Sequence, residues 1–209
     1  ELVPHAEAAP AASGAGAQNM RELLAQIGVA FDTLFFRSGA RADAEVDETP
    51  LPGEAPLDYV QRVARAKAEH GVRIAARRRL RPQPVLAADT TLEFEGEVIG
   101  KPADAADALH ILQRLSGRTH RVLTAVALAD ETRLETALSV SEVRFAVLDE
   151  ATVRRYVASG EPMDKAGAYG IQGRAGAFVE HLVGSYSGVM GLPLHDTVVL
   201  LRRFNPDFA

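Results

Sequence analysis

An aspartate followed by two hydroxyls, Asp89-Thr90-Thr91, closes the abrupt apolar run Val85-Leu86-Ala87-Ala88. A carboxylate at the end of a buried strand sits where open α/β sheets place their ligand crevices. There it either holds a divalent metal and activates water, or simply caps a turn. Lys67 lies among Ala64 and Ala68 on the small, apolar face of a helical pattern. An unpaired ammonium is costly in such a place, so Lys67 either snorkels to water or faces an anion. Lys101 is held between Gly100 and Pro102, where it offers a point charge to phosphate or is merely solvated. The richest stretch runs from Glu161 to Gly173 and spaces Gly167, Gly170 and Gly173 three residues apart. Such glycines permit close backbone approach to a ligand, although a plain loop reads the same way. Within it Gln172 offers both a donor and an acceptor, which suits the edge of a nucleobase.

Other chemistries are excluded. The chain has 209 residues and no Cys, which removes disulfides, thiolate zinc sites and a cysteine nucleophile. Its six His form no pair at metal-ligand spacing, and no G-x-S-x-G elbow, Walker loop or Rossmann fingerprint occurs. The formal net charge of −5 argues against nucleic acid or an anionic membrane as the main partner. No apolar run approaches the roughly 18 residues of a membrane span, and no signal-peptide pattern opens the sequence, so a cytoplasmic location is expected.

The elements that must position these residues alternate between strand and helix, which predicts an α/β fold. Residues 1–18 are rich in Ala and poorly specified. A helix is expected from Met20 to a stop at Gly28, then a strand over 29–36, a long loop over 38–56 and a helix over 57–79. The strand 85–88 precedes a hairpin of 92–94 and 97–99 around Glu95-Gly96. Asp104 caps the next helix, strands follow at 121–129 and 134–148, and Asp149 caps a helix to 159. A strand at 177–183 and a helix at 196–204 end the pattern.

Taken together, the motifs resemble the Maf family of septum-formation-inhibitor-like nucleoside triphosphate pyrophosphatases. The residues that carry the resemblance are Val46-Asp47-Glu48, Glu54-Ala55-Pro56 with Tyr59-Val60, Arg65-Ala66-Lys67-Ala68, Ala88-Asp89-Thr90 and Gly100-Lys101-Pro102. They continue with Leu115-Ser116-Gly117-Arg118-Thr119-His120, the run from Gly160 through Gly173, and Gly191-Leu192-Pro193-Leu194. The resemblance implies one domain over 19–209, with an elongated mixed sheet flanked by helices and two lobes around a central cleft, as in inosine triphosphate pyrophosphatase. It implies cleavage of a nucleoside triphosphate between the α- and β-phosphates with Mg²⁺ or Mn²⁺, in a nucleotide-pool house-cleaning role. Asp89 would be the general base, Lys67 and Lys101 would contact phosphates, and Asp47 or Glu48 would join Asp89 in holding metal. Asp89-Thr90 with Gly170-Ile171-Gln172-Gly173 resembles the branch acting on dTTP and UTP, so Thr90 and Gln172 are expected to select the base. A homodimer is compatible with this reading.

One stretch departs from the family. Where the family carries S-x-S-P-R-R before its R-E-L-L helix, this chain reads Ala15-Gly16-Ala17-Gln18-Asn19-Met20. Arg21 is then the remaining N-terminal cation for phosphate, and the expectation is a poorly ordered segment before Met20, weak triphosphate binding and slow turnover. The rival from another class is a catalytically weak nucleotide-binding regulator of cell division.

Overall fold

The computed structural model describes residues 7–8, 15–35 and 46–206. In chain order its regular elements are β1 (Glu7–Ala8), α1 (Ala15–Gln26), α2 (Pro56–Arg77), β2 (Val85–Phe94), β3 (Glu97–Ile99), α3 (Ala105–Leu115), β4 (Thr119–Ala129), β5 (Leu134–Phe145), α4 (Glu150–Ala158), β6 (Val179–Val183), α5 (Tyr186–Val189) and α6 (Leu194–Phe204). Short 3₁₀ turns fill the segment between α4 and β6. The six strands form one mixed sheet in the order β1-β2-β4-β5-β6, with β3 alongside β2. Among the described residues only β1 runs parallel to its neighbour; the other pairs are antiparallel.

Alternation along the strands sorts side chains to the two faces. Ala87, Leu123, Ala125 and Ala127 face α2, where Val60, Ala64 and Ala68 close over them. The opposite face carries two cores end to end. Leu86, Val126 and Leu128 pack against Met20, Leu23 and Leu24 of α1 and Leu200 and Leu201 of α6. Further along the same strands, Leu92, Phe94 and Val122 pack against α3 and α4. Between these two cores the same face holds the small and polar residues Ala88, Thr90 and Thr124, too short and too hydrophilic to seal the surface. Two helices are capped as the sequence predicts: Asp104 accepts from the N–H of Asp107 and Asp149 from that of Thr152, while Pro56, expected to end the loop, opens α2.

Several boundaries differ from expectation. No strand forms over 29–35; Val29 and Leu34 are buried singly, Val29 under α1 and Leu34 against Ile74 and Val85. Residues 36–45, which include the first part of the expected loop, lie outside the described residues. β2 does not stop at Ala88 but continues through Asp89, Thr90 and Thr91, which all pair with β4. Threonine suits a half-buried pleated surface, so the polar triplet sits within a strand rather than at its end. β5 stops at Phe145, where its register with β6 shifts. α1 already begins at Ala15, so residues 15–19, expected to lack order, are helical.

Candidate active site

β1 pairs with β2 at Val85 and Leu86, and β3 pairs with it from Leu92 to Phe94. Among the described residues, 87–91 therefore have no strand partner on that edge. A cleft of about 470 Å³ opens there and reaches both faces of β2, so Asp89 and Thr90 line it although their side chains leave the strand on opposite sides. Its wall also includes Glu48, Tyr59, Lys67, Lys101, Lys165, Tyr169 and Gln172, with Asn19 and Met20 from α1.

On the α2 side the cleft is charged. Lys67 Nζ donates to Asp89 Oδ1 at 2.7 Å and forms an ion pair with Glu48 Oε1 at 3.0 Å. Asp89 is only 8% exposed. Burial pushes its carboxyl above the usual range, while the Lys67 ammonium opposes that rise and Lys101 acts more weakly in the same sense. Burial also works against the charge on Lys67, but Asp89 and Glu48 outweigh it and hold the ammonium protonated above its ordinary range. The loop that brings Glu48 to this pair is itself tied down. Tyr59 Oη donates to the Glu48 carbonyl oxygen at 3.0 Å, and Arg62 grips the Glu54 carboxylate and the Thr49 carbonyl.

The other side is built mostly of uncharged hydrogen-bonding groups, with the Lys165–Asp164 ion pair beside them. Thr90 and Thr124 are within hydrogen-bond distance, and Gln172 is carried by the turn 170–174. Both ends of that turn are clamped. The N–H of Gly170 donates to Tyr156 Oη, Tyr156 Oη donates to Glu161 Oε1 at 3.1 Å, and the N–H of Arg174 donates to the same oxygen at 3.0 Å. A Cβ at position 173 would overlap the Glu161 carboxylate and force it to move. Lys165 Nζ donates to the Glu161 carbonyl and to Asp164 Oδ1. Behind the turn, Tyr169 Oη and His120 Nε2 lie 2.8 Å apart within a cluster of edge-on rings with Phe145. Burial lowers the His120 pKa to about 4, so the ring is neutral at pH 7.

The Maf-like protein family model matches residues 16–204. The chain belongs to the Maf-like proteins. A dTTP/UTP pyrophosphatase of Dechloromonas aromatica is 65% identical over 183 residues, spanning 88% of this chain and 91% of that protein. One of Aromatoleum aromaticum is 62% identical over 185 residues, covering 88% and 90% of the two chains. One of Chromobacterium violaceum is 48% identical over 189 residues, covering 90% and 91%.

This Maf-like chain thus gathers Asp89, Lys67, Glu48, Thr90, Lys101 and Gln172 around one cleft. Two of the expected site residues stay outside its wall. Arg21 is exposed on α1, because the face of that helix turned to the sheet presents Met20, Leu23 and Leu24 instead. Asp47 is exposed and its carboxylate accepts the backbone N–H of Thr49. Asn19, at the place of a family arginine, donates its amide to the Met190 carbonyl at 3.1 Å. Sequence reasoning did not single out Tyr59, Lys165, Tyr169 or Thr124. Lys165 was visible within the glycine-rich run, whereas Thr124 sits in an apolar strand pattern with nothing to mark it.

Among the described residues no three His, Asp or Glu side chains gather as a metal site. Glu48 and Asp89 nevertheless converge on one ammonium. Two hard oxygen donors on one side, with phosphate and water completing the shell, match the way Mg²⁺ is held in nucleotide enzymes. No helix among the described residues is long and apolar enough to cross a membrane.

Proposed function

We propose that this cleft hydrolyses nucleoside triphosphates, dTTP and UTP foremost, to the monophosphate and pyrophosphate. The observation that carries this reading is the buried Lys67–Asp89 pair at 2.7 Å, next to Lys101, in a cleft whose far side presents the hydroxyl of Thr90 and the amide of Gln172. The family membership and the names of the relatives support the same reaction, and they favour an enzyme over a weakly binding regulator. The role is removal of unwanted nucleotides from the pool.

Asp89 acts as the general base. Its carboxylate takes one proton from a water molecule as the water oxygen adds to phosphorus and the bridging P–O bond breaks toward pyrophosphate. Lys67 opposes the rise that burial imposes on the Asp89 carboxyl and turns to the phosphates once they enter. Lys101 and Lys165 supply further positive charge to the triphosphate. Glu48 and Asp89 would hold Mg²⁺ or Mn²⁺, which when bound neutralises phosphate charge. Thr90 and Gln172 face the base. With Asn19 and Met20 in place of arginines, the triphosphate is held by fewer charge-assisted bonds, each worth roughly 1.5–3 kcal/mol, and binds correspondingly weakly.

A product screen across nucleotides tests the proposal. Pyrophosphate should appear as the first product from dTTP and UTP, and excess EDTA should abolish its release. Orthophosphate as first product, or full activity in EDTA, would refute it.

A further inference from the structure

Thr90 and Thr124 sit directly opposite one another in the β2–β4 ladder, so their side chains leave the sheet on the same face. Their hydroxyl oxygens are 2.9 Å apart. Alone, that contact has no direction, because either hydroxyl can give its proton to the other. A third atom settles it. Thr124 Oγ1 also lies 2.7 Å from the carbonyl oxygen of Gly188, and a carbonyl can only accept. Thr124 is 1% exposed and has a single hydroxyl proton. That proton goes to Gly188, so what Thr124 offers Thr90 is a lone pair. Thr90 must donate to it. With its own proton committed, Thr90 presents only lone pairs to the cleft it lines.

We infer that Thr124 is a specificity-determining positioning residue: by fixing Thr90 as a pure acceptor, it selects nucleobases that offer a ring N–H at that point. Uracil and thymine carry an imide N3–H. Cytosine has a bare N3 lone pair there, which would meet the Thr90 oxygen with no proton between them, and a buried unmatched polar pair discriminates strongly. Gln172 alone cannot make this distinction, since a rotated amide serves either pattern. The inference rests on the placement of the base beside Thr90 proposed above.

The test measures kcat/KM for UTP and CTP in the wild type and in Thr124→Val, Thr124→Ala, Thr124→Ser and Thr90→Val, with thermal unfolding of each. Without the Thr124 hydroxyl, Thr90 is free to donate to cytosine N3. The UTP-over-CTP ratio should therefore fall by about tenfold or more in the Val and Ala variants and be retained in Ser. An unchanged ratio in Val and Ala overturns the inference, as does an equal fall in Ser. If neither hydroxyl-free variant folds while Ser does, Thr124 is scaffold and the inference is again overturned. A Thr90→Val variant that leaves the ratio untouched, or a wild type that does not distinguish the two nucleotides, instead removes the base from Thr90 and takes the inference with it.

Discussion

The two sides of the cleft share strand β2 but are built on different physics. On the α2 side, Asp89, Lys67 and Glu48 form a partly desolvated group of three charges. On the other side, Thr90, Thr124, Gln172 and the neutral His120–Tyr169 pair are held by hydrogen bonds. A buried charge is strong, long-ranged and sensitive to pH, which suits breaking a phosphoanhydride. Fixed neutral dipoles are short-ranged and directional, which suits telling one base from another. An unpaired strand edge between β1 and β3 lets a single ligand touch both.

The sharpest way to break this contrast is Asp89→Asn. It should lower kcat by roughly 10²–10⁴ with thermal stability largely kept, measured as pyrophosphate release. Near wild-type turnover would remove Asp89 from the reaction. Lys67→Met probes the coupling within the charged side. Burial then acts on Asp89 almost unopposed, so its pKa rises further and the acid limb of the kcat/KM profile moves to higher pH. A limb that stays in place would mean that Lys67 does not offset the effect of burial on Asp89.

The hydrogen-bonding side should respond to acid through its scaffold. His120 has a pKa of about 4 in the fold against 6.5 as a free side chain. A depressed pKa contributes stability that is complete above 6.5 and is lost as pH falls toward 4. Linkage puts the loss at about 3 kcal/mol. Unfolding curves across that window should show this loss, and His120→Leu should remove it. Gln172→Ala should reduce discrimination between UTP and purine triphosphates by about 1–3 kcal/mol; equal losses on all nucleotides would move Gln172 to the phosphate side. The smallest effect is expected for Tyr156→Phe. Without the hydroxyl that accepts from Gly170 and donates to Glu161, the turn bearing Gln172 loosens. KM should rise severalfold with kcat nearly unchanged, a net hydrogen-bond loss of about 1 kcal/mol.

The sequence by itself determined the strand–helix alternation, the caps at Asp104 and Asp149, and the residue types of the reaction. These are local: periodicity, turn chemistry and a carboxylate after an apolar run are all written over a few neighbouring positions. For the same reason Lys67, whose conflict with its apolar helix face is visible in one heptad, could be narrowed to snorkelling or facing an anion. Its partners could not, because Glu48 and Asp89 lie 19 and 22 positions away and meet it only when α2 packs on β2. Tertiary structure also decided that Asp89-Thr90-Thr91 continues a strand, since pairing with β4 outweighs the turn-forming tendency of Asp89. It decided that Arg21 points away while Met20 faces inward, a rotation around α1 set by which face meets the sheet. Thr124 is the clearest case. In the sequence it is one hydroxyl in an apolar strand; its direction of donation exists only because Gly188, 64 positions on, brings a carbonyl to it.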